Sequence, residues 1–185
     1  MSDAAVMRYA GFWPRLGAML VDGLVMAPFI VLSYWAWSQS RTVALWMEVP
    51  LAFVFAFYNI YFVGRWGMTV GKCVLKLKVV SLDGQRAGFR RAFYRHSVDF
   101  ALSVVGCALI LSALMSVAEH EFNVLAFAER LDLLSQRTGA ASDILNWIYL
   151  AWALSELLVL LTNEKRRALH DYIAGTVVVR TAPAA

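Results

Sequence analysis

The chain has 185 residues, of which 61% are hydrophobic and only 16% charged. A soluble domain carries about a quarter charged residues, so this composition excludes an ordinary soluble globule and points to a bilayer. The formal net charge of +4 would suggest nucleic acid in a soluble protein, but here the placement of the cations along the chain explains it, and no nucleic-acid partner is expected.

Apolar residues fall in four blocks, approximately 16–38, 43–63, 100–118 and 144–161. Each is near the ~20 residues that a helix needs to cross the hydrocarbon layer. Arg8 and Arg15 precede the first block as in a signal peptide, yet the block is too long, and Trp35 and Trp37 stand where small cleavage-site residues belong. It is expected to remain as an anchor. The fourth block is the shortest and the second contains Pro50, so a buried core helix is the alternative for either.

Eight cations lie between the second and third spans: Arg65, Lys72, Lys76, Lys78, Arg86, Arg90, Arg91 and Arg95. Arg8, Arg15, Lys165, Arg166, Arg167 and Arg180 fall on the same side, leaving Arg41, Arg130 and Arg137 on the other. The positive-inside rule then predicts a multi-pass membrane protein with both termini in the cytoplasm. Cys73 and Cys107 lie far apart and predict neither a disulfide nor a zinc site.

In the middle loop, "VLKLKVV" (Val74 to Val80) alternates apolar and basic residues and is followed by the turn signal "LDGQ". "TVVVR" (Thr176 to Arg180) is the obvious partner on the same side, because a lone strand leaves its ladder groups unpaired. "GFRRAFYRHSVDF" sets Phe89, Ala92, Phe93 and His96 at helical spacing among Arg90, Arg91 and Arg95. It predicts a basic helix lying at anionic headgroups, with Arg166 and Arg167 facing lipid in the same way. Residues 119–143 contain a further amphipathic pattern. The expected fold is an all-α membrane protein: four transmembrane helices, interfacial amphipathic helices and a small cytoplasmic β-hairpin-like sheet, in a single domain over residues 1–185.

Charges inside the spans come next, since each costs roughly 2.5–3.5 kcal/mol at a helix centre on insertion scales. Asp22 follows Arg15 by two helical turns, about 10 Å along the axis, too far for a simple pair. It needs a cation or donor from another segment. Glu156 is the most deeply placed carboxylate, and Tyr58, Asn59 and Tyr61 add polar atoms that could line a site with Asp22. For Asp22 and Glu156 two readings stand: an interhelical contact that fixes packing, or a carboxylate that binds protons or cations, with Asn59 as a neighbouring ligand.

"AGFWPRLGAMLVDGLV", "GRWGMTVGKCVLKLKVVSLDGQ" and "RRALHDYIAGTVVV" together resemble the RDD family of small bacterial membrane proteins, named for an arginine and two aspartates. Those residues map to Arg15, Asp22 and Asp171. Where the family pattern often has glutamine before the threonine of "G-x-T-x-G-K", this chain has Met68. The resemblance implies a transporter or cation/proton exchange component, with Arg15, Asp22 and Asp171 as signature residues. Asp171 has Arg15, Lys72 or its own neighbours within range as partners.

Sharper motifs fail. "GRWGMTVGKC" spaces its glycines wrongly for a phosphate loop and has Cys73 where a hydroxyl belongs. "EHE" (Glu119 to Glu121) cannot turn three consecutive side chains to one metal without bending the backbone. His170 beside Asp171 lacks a nucleophile in recognisable context. Neither an enzyme, a metal site nor a cofactor is expected. The alternative to transport is a membrane scaffold or accessory subunit that binds a membrane protein partner or anionic lipid. A transporter of four spans favours a homo-oligomer.

Overall fold

A computed structural model describes residues 8–181; the extreme termini, for which the charge pattern predicts a cytoplasmic location, lie outside these residues. The chain runs through α1 (Phe12–Gln39), α2 (Arg41–Trp66), α3 (Val70–Val74), β1 (Leu77–Ser81), α4 (Gly88–Arg95) and α5 (Ser97–Met115). It continues through α6 (Glu119–Val124), α7 (Phe127–Thr138), α8 (Ala140–Thr162), α9 (Leu169–Ala174) and β2 (Thr176–Arg180).

Helices α1, α2, α5 and α8 are each long and apolar enough to cross a membrane. They contain the four expected blocks apart from the end of the third, where α5 stops at Met115. Leu24, Val31, Trp46 and Leu158 stand exposed on them, as a helix apolar on all sides requires when lipid is its solvent.

The described residues divide into two compact units. The first takes residues 8–25, 57–98 and 153–181, and the second 26–56 and 99–152. The second unit has a core of Ala44, Ala113, Leu114, Val117, Phe122 and Leu134, against which Trp37 and Leu133 pack. Its buried Arg130 sends Nη1 to the carbonyls of Trp37 (2.9 Å) and Ser38 (3.0 Å) and Nε to that of Leu125 (3.0 Å). This guanidinium satisfies the carbonyls that α1 leaves open at its end. It also lies 4.8 Å from the centroid of the Phe122 ring.

In the first unit β1 and β2 pair antiparallel, with Leu77 opposite Arg180, Val79 opposite Val178 and Ser81 opposite Thr176. Both edges of this sheet are occupied. Ala10 donates to Val178 O (2.9 Å) and Arg180 to Arg8 O (2.9 Å), while Val79 donates to Gly67 O (2.6 Å), so no edge invites another strand. Leu77, Val79 and Val178 are fully buried with Ala10, Ala18, Val63, Ala87 and Ala92.

The sheet starts later than the alternation from Val74 predicts. Thr69 caps α3, its side chain accepting from the backbone N–H of Lys72, and holds Val70–Val74 in helical form. Lys76 then turns the chain with φ +54°, leaving only Leu77 onwards extended. At the other end, Gly175 closes α9 in the left-handed conformation, φ +63°, and aims Thr176 into β2.

Leu77→Ala, which removes a side chain with no exposure, is expected to cost about 2–5 kcal/mol. Leu82→Ala, at half-exposed Leu82, should change stability by no more than about 0.5 kcal/mol. Denaturant unfolding of both variants in detergent checks the contrast.

Candidate functional site

Two buried carboxylates organise the first unit, and their surroundings differ. Asp171, on α9, has no exposure. Its Oδ2 accepts from Arg15 Nη1 (2.8 Å) and from the backbone N–H of Ala168 (3.1 Å). Its Oδ1 accepts from Arg95 Nη1 and from the Thr176 hydroxyl (2.9 Å).

Each guanidinium is tied down further. Arg15 donates through Nε to Ala10 O (3.2 Å) and through Nη2 to Arg166 O (2.5 Å), and Arg95 donates to Thr176 Oγ1 (3.1 Å). The result joins α1, α4, α9 and β2 through one carboxylate. Burying such charges repays its desolvation cost only when the geometry is good and further hydrogen bonds are made; here each oxygen of Asp171 accepts two.

Two residues assigned to lipid headgroups from sequence lie elsewhere. Arg95 is 5% exposed and points inward, because it sits one helical turn beyond buried Ala92 on the same face of α4 and finds Asp171 there. Arg167 donates to Thr176 O (3.0 Å) and Asp171 O (2.9 Å) and stacks 3.8 Å from the Tyr172 ring centroid. It is a C-terminal brace for α9. Arg90, Arg91 and Arg166 are exposed.

Asp22, on α1, is 4% exposed and meets a different set. Oδ1 accepts from the Tyr58 hydroxyl (2.7 Å) and the Gly71 N–H (2.7 Å), and Oδ2 from the Thr69 hydroxyl (2.6 Å). Tyr58 also receives the Val70 N–H (2.9 Å). Only glycine fits at position 71, since a Cβ there would collide with the carbonyl oxygen of Ala18; the close approach of α3 to α1 brings its N–H groups to the carboxylate.

All three donors are neutral and come from α2 and the Thr69–Gly71 turn, the other segments that Asp22 required. Buried Asn59 is not among its partners in the described residues. Lys72 Nζ reaches Thr69 Oγ1 (3.3 Å), one hydroxyl away from Asp22. Burial, with repulsion from Arg95 and Arg15 outweighing attraction to Asp22, lowers the Lys72 pKa to about 8.

Glu156 sits near the end of α8 and is engaged by α9: its Oε1 accepts the backbone N–H of His170 (2.8 Å), and Oε2 lies against His170 Nδ1. His170 Nε2 is 3.9 Å from Asp171 Oδ2. Burial first, then the positive charges of Arg95, Arg15 and Lys72 and the His96 ring, hold the imidazole well below its ordinary pKa. Glu156 thus helps to seat α9 through the His170 N–H and imidazole. Arg95, Thr176 and the Glu156–His170 contact are the participants that sequence spacing missed. For Arg95 a signal existed in its three-residue offset from Ala92.

Asp171→Asn leaves Arg15 and Arg95 buried without their shared carboxylate and should cost about 3–5 kcal/mol, readable as a fall in the unfolding midpoint in detergent. His170 adds a pH dependence of definite sign. Below about pH 6.5 the unfolded chain protonates this imidazole and the folded chain does not, so stability decreases as the pH is lowered, by no more than about 1.4 kcal/mol per unit. His170→Gln should flatten that part of the stability profile between pH 5 and 7; an unchanged slope would show that other groups carry it.

A model of the RDD family matches residues 9–175. A protein of Bacillus subtilis (strain 168), described as uncharacterized protein YckC, is 22% identical over 179 residues, covering 96% of this chain and 89% of that protein. No solved structure matches. With the arginine and both aspartates of the signature placed at two buried sites and the family match running over most of its length, this chain belongs to the RDD family.

Proposed function

We propose that this RDD family membrane protein is a small transport component that exchanges a cation for protons at Asp22. One observation carries the reading: of the two buried signature aspartates, Asp171 is neutralised directly by two guanidiniums, whereas Asp22 is held by neutral donors alone among the described residues. A carboxylate already closed by two arginines has no room for another cation. One held by hydroxyls can take a proton or a hard cation, because Tyr58 Oη and Thr69 Oγ1 become ligands once their hydrogens rotate away.

An ionisable group kept inside a membrane protein at such cost is a functional-site hypothesis by default. On this reading Arg15 and Asp171 hold the scaffold still around the exchanging group. The cation distribution supports a bacterial cytoplasmic membrane with both termini inside. Exposed Arg90, Arg91 and Arg166 suit anionic headgroups on that side, and a homo-oligomer would supply the additional helices that a four-span transporter needs.

The second reading, a scaffold for a membrane partner or anionic lipid, is favoured by the Asp171 cluster, whose bonds bind four elements into one unit. Liposomes loaded with a pH dye separate the two. Sodium or potassium gradients are expected to drive proton movement in the parent, and Asp22→Asn at matched incorporation should lose that movement while unfolding near the parent temperature. No movement in the parent, with Asp22→Asn unfolding several degrees lower, would establish Asp22 as a packing residue and favour the scaffold.

A further inference from the structure

Three cations around the end of α2 have no task in the exchange reading. Arg65 and Arg86 are exposed and Lys78 is half-buried. None of the three meets a carboxylate among the described residues. Asp83, the acidic residue closest to them in sequence, accepts instead from the Ser81 hydroxyl and the Gln85 N–H (3.4 Å).

The fold gathers these cations from three segments. Gly67 turns out of α2 with φ +76°, and its carbonyl accepts the Val79 N–H (2.6 Å), which draws β1 against the helix end. Lys78 is thereby laid over Gly67, where a Cβ would stand 3.3 Å from Lys78 Cε. Arg86 donates through Nη1 to Arg65 O (3.1 Å), one of the carbonyls that a helix leaves open at its C-terminal end and where positive charge is favoured. That bond uses one guanidinium N–H and leaves the others for a ligand.

An aromatic cluster occupies the same place. Tyr61, Trp66 and Phe89 are exposed, yet the Tyr61 ring centroid lies 5.5 Å from that of Trp66 and 6.3 Å from that of Phe89. Phe89 reaches α2 over Gly64, where any Cβ would strike its ring. Tyrosine and tryptophan collect where hydrocarbon meets headgroups, and α2 is long and apolar enough to span. The rings therefore mark the level of the interface, and cations in that layer attract anionic headgroups. An acidic peptide would meet the cations alone, whereas a phospholipid also covers the rings.

We propose that the end of α2 is a binding site for an anionic phospholipid. Arg65, Lys78 and Arg86 hold its phosphate, and Tyr61, Trp66 and Phe89 take its glycerol and upper acyl carbons. Because Lys78 belongs to β1 and Arg86 leads into α4, the lipid ties both elements to the helix end. The site does not depend on what Asp22 carries.

The test uses the full chain in phosphatidylcholine vesicles containing brominated phosphatidylglycerol or, as control, brominated phosphatidylcholine. Quenching of Trp66 is read as the difference between the parent and Trp66→Phe. In the parent, phosphatidylglycerol is expected to quench Trp66 at a much lower mole fraction than phosphatidylcholine, and salt should narrow the gap. Arg65→Gln/Arg86→Gln should raise the phosphatidylglycerol fraction required by about fivefold for each cation removed. Arg65→Gln/Lys78→Gln keeps the Arg86 bond to α2 and decides the matter if the first variant does not fold. Lys165→Gln/Arg180→Gln, which removes the same charge from exposed positions elsewhere in the unit, should keep the preference.

Equal quenching by the two lipids in the parent overturns the inference, as does a preference that survives in the folded Arg65 variants. An equal loss in Lys165→Gln/Arg180→Gln reduces the effect to diffuse attraction and overturns the site. Poly-glutamate that displaces phosphatidylglycerol at equal charge assigns the surface to an acidic protein and overturns the lipid. Each of these outcomes leaves the role of Asp22 untouched.

Discussion

A single buried negative charge at Asp171 sets the terms for the first unit. A carboxylate without exposure is tolerable only if its oxygens are saturated and its charge is met. Arg15 and Arg95 meet it from helices that are distant in sequence, and Thr176 and the Ala168 N–H complete the set. The rest follows from that requirement. The start of α1, the basic helix α4, the short α9 and strand β2 must converge, and the apolar residues between them, Leu77, Val79 and Val178, become the core. Hydrophobic burial supplies the driving force there, while the ion cluster selects the arrangement.

Asp22 shows the opposite solution to the same physical problem. Its charge is softened by dipoles, not cancelled by a touching cation, and the nearest ammonium is held at one remove by Thr69. The two aspartates of one signature thus differ in kind: one is met by two touching guanidiniums and the other by neutral donors. Gly71 is what makes the second possible, since only a residue without Cβ lets the turn before α3 approach the Ala18 carbonyl. The closeness of α3 to α1 is a backbone property, and the short segment from Thr69 to Lys72 supplies hydroxyl, amide and ammonium together.

The sequence made the four long helices and the pairing of the two β-branched runs legible, because composition and period alone decide them. It located Asp22, Tyr58 and Asp171 as members of polar sites. It failed where tertiary partners override local pattern. Arg95 and Arg167 look like headgroup ligands from charge alone, and the arrival of Asp171 and the β2 backbone turns them inward. The start of β1 was misplaced because the hydroxyl cap at Thr69 outweighs a weak alternation. Sequence singled out Glu156 as a deep carboxylate but did not show that α9 reaches back to it through His170. The miss at Arg95 depends on a contact between segments far apart in the chain, whereas those at Arg167 and β1 rest on nearby bonds that outweigh the linear pattern.

The bond between Arg15 and Asp171 closes over 156 positions, and this separation matters for biogenesis. A ribosome releases Arg15 long before Asp171, so during synthesis both Arg15 and Arg95 wait as uncompensated cations beside a bilayer. Water and headgroups can hold them in that interval. The unit acquires its core only when the final stretch docks and threads β2 between the segment at Arg8 and β1. A chain interrupted before Asp171 would keep all four apolar helices and still lack the closure that lets its arginines be buried. The segment from Asp171 to Arg180 is therefore what makes the burial of the earlier Arg15 and Arg95 tolerable.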